Sequence, residues 1–309
     1  MHEDQLLRRI ADRTRAMSGR GGVEVGPGDD CAVLRVGPGG LLLATVDHLI
    51  GSRHFETGTP MDLVARKAVA RSVSDIAAMA GAPRWALATA ALPADWPQQR
   101  AEELFDAMHR WAAGFGCPLV GGDIAALPAG AALVLTVTVL GEPHPTRGPV
   151  RRDGARPGQG VYLTGAVGAS LYSGRHLTFQ PRVAEARWLA DVLGARLSAM
   201  IDISDGLGRD AGRLARAGGV AIEMAERDVP RHPDAGPTYL SNGEDYELLF
   251  TAEGPVPDRC PATGTPVTRV GTVTAGSGCV ALLADGRRWP ADELGWDHGT
   301  DADTANNRP

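Results

Sequence analysis

Residues 61–80 read MDLVARKAVARSVSDIAAMA, and this stretch is a strong candidate for an α-helix. Apolar residues recur at helical spacing through Leu63, Ala70, Val73 and Ile76, which predicts an apolar face. Asp75 lies among these apolar positions rather than in a run of charges. We therefore expect this helix to pack in a core and to carry a carboxylate at the edge of that core.

Short apolar runs with glycine and proline boundaries surround the helix and predict strands. Strands are expected at residues 31–36, 41–46, 85–92, 131–140, 161–164, 220–224 and 246–251 and in a run into Asp202. Further helices are expected at residues 5–16, 98–115 and 182–197 and after Gly206. This mixture predicts an α/β or α+β protein of two domains.

The composition changes between Gly141 and Gly160, where prolines and arginines replace aliphatic residues. Such a segment is typical of a connection between domains. We expect an N-terminal domain over residues 1–145 and a C-terminal domain over residues 146–309.

Charge and composition exclude several classes of partner. The net charge of −6 with both signs interspersed argues against a nucleic-acid or anionic-membrane binder. Neither a signal peptide nor an apolar run of the ~20 residues that a membrane span needs is present, so a cytoplasmic location is expected. The four cysteines form no C-x-x-C pair, which argues against a zinc site and a disulfide framework.

Six aspartates lie beside apolar residues or glycines rather than in solvated charge runs. They are Asp30, Asp47, Asp75, Asp123, Asp202 and Asp205. Any one of them alone is better explained as a turn residue or a helix N-cap than as a metal ligand. As a set they would repel one another unless a cation compensates them, and Mg²⁺ prefers oxygen ligands of this kind. The set therefore predicts a magnesium site.

Glycines next to several of these aspartates suggest phosphate binding. Gly28, Gly122 and Gly206 each adjoin an aspartate, and glycine lets backbone amides approach a phosphate closely. The sequence has neither the G-x-x-x-x-G-K-[ST] motif nor the catalytic-loop motif of protein kinases. Any nucleotide chemistry must therefore use a different fold.

Lys67 is the only lysine in a chain with thirty arginines. A compositional bias toward arginine explains most of this ratio. The alternative is that a compact ammonium is required at position 67, because lysine and arginine are not interchangeable at a phosphate or carboxylate site.

A series of motifs in family order resembles the thiamine-monophosphate kinases, within the aminoimidazole-ribonucleotide-synthetase superfamily. The matching segments are 28–34, Asp47 with 54–55, 67–68, 74–79, 121–123, 152–158, 164–165, 202–207, 243–248 and 295–298. The resemblance implies an N-terminal domain that binds ATP and Mg²⁺ and whose sheet forms a barrel across a homodimer. It also implies a C-terminal α/β domain that closes over the active cleft.

The same resemblance implies a reaction in which ATP phosphorylates thiamine monophosphate to thiamine diphosphate, by direct in-line transfer with several Mg²⁺ ions. The implied metal-binding residues are Asp30, Thr45, Val46, Asp47, Asp75, Asp123, Asp202 and Asp205, with Val46 able to offer only its carbonyl. The implied ATP-binding residues are Gly122, Asp123, Arg152 and Ser204. The implied substrate-binding residues are His54, Glu244 and Trp296, whose ring suits a thiazolium cation. The implied catalytic residues are Asp75, Asp123 and Asp205.

The chain departs from the family pattern at three positions that concern the site. Arg71 and Ser72 replace a small apolar residue and an asparagine, and Ile124 replaces a threonine. These departures leave two alternatives open. One is another ATP-dependent enzyme of the superfamily, such as aminoimidazole ribonucleotide synthetase or selenophosphate synthetase, although the latter would want a reactive cysteine near an N-terminal lysine. The other is a regulator that binds a nucleotide without turnover.

Overall fold

The computed structural model describes residues 3–14, 17–283, 285–292 and 294–295. Within those residues the helices are α1 (Glu3–Thr14), α2 (Met61–Ala78), α3 (Gln98–Gly114), α4 (Ser170–Ser173), α5 (Val183–Leu193) and α6 (Leu207–Gly218). No helix in the described part of the chain is long and apolar enough to span a membrane.

The first sheet lies in the N-terminal half, and its strands run in the order β1-β2-β3-β6-β4-β5. The strands are β1 (Val23–Val25), β2 (Ala32–Val36), β3 (Gly40–Ile50), β4 (Ala82–Pro93), β5 (Leu119–Leu127) and β6 (Val134–Glu142). All neighbours are antiparallel except β4 and β5, which are parallel. This sheet is open, so the described part of one chain forms no closed barrel.

The second sheet lies in the C-terminal half, and its strands run in the order β13-β12-β9-β11-β7-β10-β8. The strands are β7 (Gly160–Thr164), β8 (Leu197–Asp202), β9 (Ala221–Ala225), β10 (Leu248–Ala252), β11 (Val267–Thr274), β12 (Gly278–Leu282) and β13 (Arg288–Pro290). The mixed α/β class with two sheets is therefore confirmed. The boundary between residues 145 and 146 stays a prediction.

Helix α2 joins the two halves. On one side Val69, Val73 and Ile76 belong to the core beneath the first sheet. On the other side Ala77 and Ala78 pack in a core with residues of α5, β8 and β10. Burial of both faces explains why small residues dominate the C-terminal half of this helix, and it fixes Asp75 between the two sheets.

The sharp turn after α2 depends on Gly81. A Cβ atom there would lie 2.5 Å from a methyl carbon of Leu43 and 2.8 Å from one of Ile76. Such distances are below van der Waals contact, so a side chain at position 81 would push β3 away from α2. The glycine thus lets the helix and the sheet approach closely at the site.

Most predicted elements are confirmed, and the differences have identifiable causes. The helix expected over residues 182–197 ends at Leu193, because Gly194 adopts a positive φ of 53°. Strands β1, β5, β11, β12 and β13 were not predicted. Of these, β5 carries predicted site residues, namely Gly122 and Asp123. Its glycines disfavour a strand, and most of its residues are exposed, which removes the usual alternation of apolar and polar positions.

Candidate active site

Three carboxylates meet between the two sheets although they are far apart in sequence. Asp30 ends the turn before β2, Asp75 lies in α2, and Asp202 ends β8. One oxygen of each lies within 4.8 Å of an oxygen of the other two. The tertiary structure thus assembles half of the aspartates in the predicted set into one cluster.

Two hydroxyl groups orient this cluster. The Thr45 hydroxyl of β3 donates a short hydrogen bond to Asp75. The Ser74 hydroxyl donates a 2.5 Å hydrogen bond to Asp202, which connects α2 to the second sheet. Charge-assisted bonds of this kind hold each carboxylate in a fixed direction.

Burial and repulsion by neighbouring carboxylates act on two members of the cluster, Asp75 and Asp202. Burial, followed by repulsion from Asp47, Asp202 and Asp30, raises the pKa of Asp75 well above its ordinary value. Burial and the charge of Asp30 likewise raise the pKa of Asp202. A divalent cation would remove this repulsion, and carboxylate and hydroxyl oxygens are the donors that Mg²⁺ prefers. The residues therefore fit the metal that the sequence predicts.

Arg152 pairs with the cluster from the connection between the halves. Its guanidinium donates two hydrogen bonds to Asp30, of 2.6 and 2.9 Å, and its backbone N–H donates to Asp29. Burial and the nearby Asp30 raise the pKa of Asp29 to about 6, against the opposing charge of Arg152. Two residues expected to bind different ligands, Arg152 for ATP and Asp30 for metal, are thus direct partners here.

A cavity of about 570 Å³ opens beside the cluster. Among the predicted residues, those that line it are Val46, Asp47, His54, Asp75, Asp202, Ser204, Asp205 and Glu244. The cavity wall therefore combines carboxylates expected to hold metal with residues expected to contact substrate.

Ser204 and Asp205 precede α6, and Asp210 holds their backbone. The N–H groups of Ser204, Asp205 and Gly206 all donate to one oxygen of Asp210, at 2.9 to 3.2 Å. These three backbone amides are therefore already hydrogen-bonded. The group with which Ser204 can bind a ligand is its side-chain hydroxyl. The Asp205 side chain pairs with Arg213.

Gly122 and Asp123 are not brought to the cluster in one chain. Strand register aligns Asp47 with Val137, Val137 with Ala88, and Ala88 with Gly122. Gly122 therefore lies three strands from Asp47, or about 14 Å. Asp123 is the next residue along β5, and successive side chains of a strand point to opposite faces of the sheet. Its side chain therefore points to the opposite face from that of Asp47.

Strand β5 nevertheless approaches β4 closely at Gly122. A Cβ atom at Gly122 would lie 1.8 Å from the carbonyl oxygen of Ala88. No other residue fits there without moving β5 away from β4. The glycine is thus required by the sheet itself, whether or not it also contacts a nucleotide.

Lys67 connects three residues, of which His54 and Glu244 line the cavity. Its ammonium lies 2.6 Å from the carbonyl oxygen of His54, 2.8 Å from Nδ1 of His176 and 2.8 Å from Glu244. Burial would raise the pKa of Glu244, but the hydrogen bond with His176 and the charge of Lys67 outweigh it and lower that pKa to about 2. Burial lowers the pKa of Lys67 to about 8, although Glu244 opposes the change.

Glu244 also has a backbone conformation that side chains rarely adopt, with a φ of 63°. Non-glycine residues in this region are uncommon and cluster at functional sites. The bonds from Lys67 and the packing around Glu244 hold this conformation in place.

The sequence analysis did not assign some residues of the site, and one residue that it did assign falls outside the part of the chain that the structure describes. Arg71 and Tyr246 line the cavity, and His176 contacts Lys67. Arg71 was visible only as a departure from the family pattern, whereas nothing in the sequence indicated His176. Trp296 lies outside the described residues.

The four cysteines are buried with free thiols. Burial and several nearby aspartates raise the pKa of the Cys31 thiol well above its ordinary value. A thiol in this state is a poor nucleophile. The site can therefore bind cations and phosphates through its own oxygens and guanidinium groups, but it offers no activated cysteine.

Known proteins resemble this chain over nearly its whole length. The family model described as AIR synthase related protein, N-terminal domain, matches residues 28–142. The thiamine-monophosphate kinase of Salmonella typhimurium is 32% identical over 333 residues, covering 96% of this chain and 98% of that protein. The thiamine-monophosphate kinase of Bacillus subtilis is 30% identical, covering 88% of this chain and 91% of that protein.

Solved structures give the same picture. The structure described as AaThiL complexed with AMPPCP and TMP superposes with a TM-score of 0.79 at 28% identity. The match covers 96% of this chain and 97% of that chain. The arrangement of both sheets is therefore shared with a protein whose structure holds two phosphate-bearing ligands.

Proposed function

Because the chain belongs to the thiamine-monophosphate kinase family, we propose that its cleft transfers the terminal phosphoryl group of ATP to thiamine monophosphate. The products are thiamine diphosphate and ADP. The observation that carries this proposal is the cluster of Asp30, Asp75 and Asp202 at the edge of a cavity large enough for phosphate-bearing ligands.

We propose that Mg²⁺ is bound by this cluster and by neighbouring oxygen donors. Besides Asp30, Asp75 and Asp202, these are Thr45, Asp47 and Asp205 and the carbonyl group of Val46. When bound there, Mg²⁺ would supply positive charge to balance the negative charge of phosphate oxygens. Repulsion among the carboxylates supports this assignment. All of the proposed ligand atoms are oxygens, which supports it as well.

Arg152 and Ser204 are assigned to ATP. The Arg152 guanidinium already presents two parallel N–H groups to Asp30, a geometry that also suits a phosphate. We expect ATP to accept from N–H groups that Asp30 leaves unused, since an arginine has five N–H donors. Ser204 lines the cavity and offers its hydroxyl group.

His54, Glu244 and Trp296 are assigned to the thiamine part of the acceptor. His54 and Glu244 lie at the end of the cavity that Lys67 holds together. The hydrogen bond with His176 and the charge of Lys67 keep the pKa of Glu244 low, and its carboxylate favours a cationic ring nearby. The assignment of Trp296 rests on the chemistry of an aromatic ring and a thiazolium cation.

Transfer is proposed to be direct, without a phosphorylated enzyme. The site residues are suited to orienting two phosphates and to balancing charge, which is the main task of a phosphotransferase. Asp75 is the central residue of this arrangement, and Asp205 and Asp123 extend it.

We propose that the protein works as a homodimer in which two first sheets form a barrel. Strand β5 ends the sheet and leaves Val120 and Ile124 about 60% exposed. Trp85 and Leu87 on the neighbouring β4 are also exposed. An open edge with exposed apolar residues is a template for pairing with another strand, and a second copy is the partner that the family resemblance implies.

Such a dimer also gives Gly122 and Asp123 a role. Their distance from Asp47 within one chain places them outside that chain's own cluster. We propose that Asp123 of each copy serves the site of the other copy. A cytoplasmic location stays a prediction from the sequence.

The deciding experiment is an ADP-release assay with Mg-ATP and several acceptors, with the products identified by mass spectrometry. Thiamine diphosphate formed only from thiamine monophosphate supports the proposal. Turnover only with an aminoimidazole-pathway substrate would favour another enzyme of the superfamily. ATP binding without ADP release would favour a regulator.

A further inference from the structure

Lys67, Arg71 and Asp75 follow one another at intervals of four residues along α2 and therefore share one face of the helix. This face is directed at the cavity. Arg71 and Asp75 line it, whereas Lys67 is fully buried behind it. The chain thus places one guanidinium between an ammonium and a metal-binding carboxylate.

The ammonium of Lys67 has no N–H group left to donate to a ligand. Its ammonium has three N–H groups, and three partners lie within 2.8 Å of it. Its charge is consequently used to hold Glu244, His54 and His176. A negatively charged ligand that enters the cavity needs another cation.

The guanidinium of Arg71 has a hydrogen-bond donor that finds no partner among the described residues. Its Nη1 donates a 2.9 Å hydrogen bond to the carbonyl oxygen of His48, and its Nη2 lies 3.7 Å from Asp47. Its Nε is buried and has no hydrogen-bond partner among the described residues. Buried donors without a partner are rare, and a guanidinium with unused N–H groups has the geometry to bind an oxyanion.

The surroundings of Arg71 are otherwise negative. Asp47, Asp75 and Glu244 all contribute negative charge at this part of the wall. A phosphate placed there without a cation would be repelled by these carboxylates. Arg71 remains 15% exposed at the side chain, so a ligand in the cavity can reach it.

We propose that Arg71 binds the phosphate group of the acceptor and makes the site select a phosphorylated acceptor over its alcohol. This proposal rests on the proposed function and adds a residue to it. The guanidinium fork directs the acceptor phosphate toward the carboxylate cluster, where the phosphoryl group arrives. Arg71 is thus a residue for binding and specificity.

The test measures the dissociation constants of thiamine monophosphate and thiamine by calorimetry, with the wild type, Arg71→Met and Arg71→Lys. Loss of charge-assisted bonds should weaken the binding of thiamine monophosphate by about tenfold to a hundredfold in Arg71→Met. The affinity for thiamine should stay the same or rise, since a cation beside the thiazolium ring is removed. Arg71→Lys should show a smaller loss, because it keeps the charge without the fork.

Arg66→Met is the matched control. Arg66 is another arginine of α2, but it donates to the carbonyl oxygens of Leu177 and Phe179 and does not line the cavity. This variant should lose stability and keep the wild-type ratio of the two affinities. Thermal unfolding of every variant separates misfolding from a local change.

Two outcomes overturn the proposal. Arg71→Met could weaken thiamine monophosphate and thiamine equally, or it could leave the affinity for thiamine monophosphate unchanged. If the wild type forms no thiamine diphosphate, the proposed function fails, and inorganic phosphate becomes the probe for Arg71. Equal phosphate affinities of the wild type and Arg71→Met would then reject the anion site, whereas weaker phosphate binding by the variant would keep it.

Discussion

The ammonium of Lys67 lies 2.8 Å from the carboxylate of Glu244, 177 residues further along the chain. Both side chains are mostly buried, at 0% and 14% exposure. The pair joins α2, which supports the first sheet, to the segment that leads into β10 of the second sheet. It thereby fixes one end of the cavity and the unusual backbone of Glu244.

Replacing Lys67 should be costly for both stability and acceptor binding. Lys67→Met leaves Glu244 buried without its cation and should lower the free energy of unfolding by about 3 kcal/mol. Lys67→Arg keeps the charge but cannot place a planar fork among three partners arranged around an ammonium, so the KM for thiamine monophosphate should rise. Denaturant unfolding and steady-state kinetics measure the two effects.

The control for Lys67 is Arg35→Ala. Arg35 pairs with Glu24 at the surface, where an ion pair contributes less than about 1 kcal/mol. Full activity and stability of Lys67→Arg would instead mean that the single lysine is an accident of composition.

Asp75→Asn should lower turnover by at least about a hundredfold while the fold stays intact. The amide oxygen can still accept from Thr45, and removal of a charge relieves repulsion by Asp47 and Asp202. The metal-free variant should therefore melt at the same temperature as the wild type or higher. It should also lose most of the stabilisation that Mg²⁺ gives the wild type.

Asp106→Asn serves as the control for Asp75, because Asp106 is exposed on α3 and belongs neither to the cluster nor to the cavity lining. It should behave as the wild type in turnover and in its response to Mg²⁺. Near-normal turnover of Asp75→Asn would remove Asp75 from the site.

Asp245 should give the protein a measurable pH dependence of stability. Burial raises its pKa to about 7, although the Gly168 N–H and Arg175 oppose this. Between pH 3.8 and about 7 the folded state then holds a proton that the unfolded state has released. The free energy of unfolding should therefore fall as the pH rises, by up to about 1.4 kcal/mol per pH unit, and the decline should stop above about pH 7.

Asp245→Asn should lack this contribution, because the amide does not titrate and can still accept the Gly168 N–H. Denaturant unfolding at four pH values between 4.5 and 8 measures the difference from the wild type. Asp234→Asn, at an exposed position, should keep the wild-type slope. A constant difference between the wild type and Asp245→Asn at all pH values would show that Asp245 is ionised throughout.

Ile124→Lys should convert the proposed dimer into a monomer. The side chain is 61% exposed on β5, and a lysine there would bury a charge at the interface between two copies. Sedimentation should give half the wild-type mass. Val192→Lys, at an exposed position of α5, should keep the wild-type mass. A wild type that is monomeric at all concentrations contradicts the dimer.

Mixing two inactive variants tests whether Asp123 acts on the other copy. A heterodimer of Asp75→Asn and Asp123→Asn would have one site with both aspartates intact. After exchange of subunits the mixture should recover about a quarter of the wild-type activity, since half of the dimers are mixed and each has one complete site. If each site is built from one chain, the mixture will stay inactive.

Sequence alone predicted most of the elements and the carboxylates proposed to build the site. The apolar periodicity of residues 61–80 predicted α2, and the positions of Asp30, Asp75 and Asp202 beside apolar runs predicted buried carboxylates that need a cation. Both inferences rest on local properties of the chain, namely spacing and the cost of burying a charge.

Only the tertiary structure decided which of these residues act together. Asp30, Asp75 and Asp202 meet because α2 packs between two sheets, while Asp123 lies three strands away from Asp47 on the other face of the first sheet. The partners of Lys67 and the unused donor of Arg71 depend in the same way on packing between distant segments. Spacing along the chain does not determine distances across a folded core, because these are set by how sheets and helices pack and by strand register.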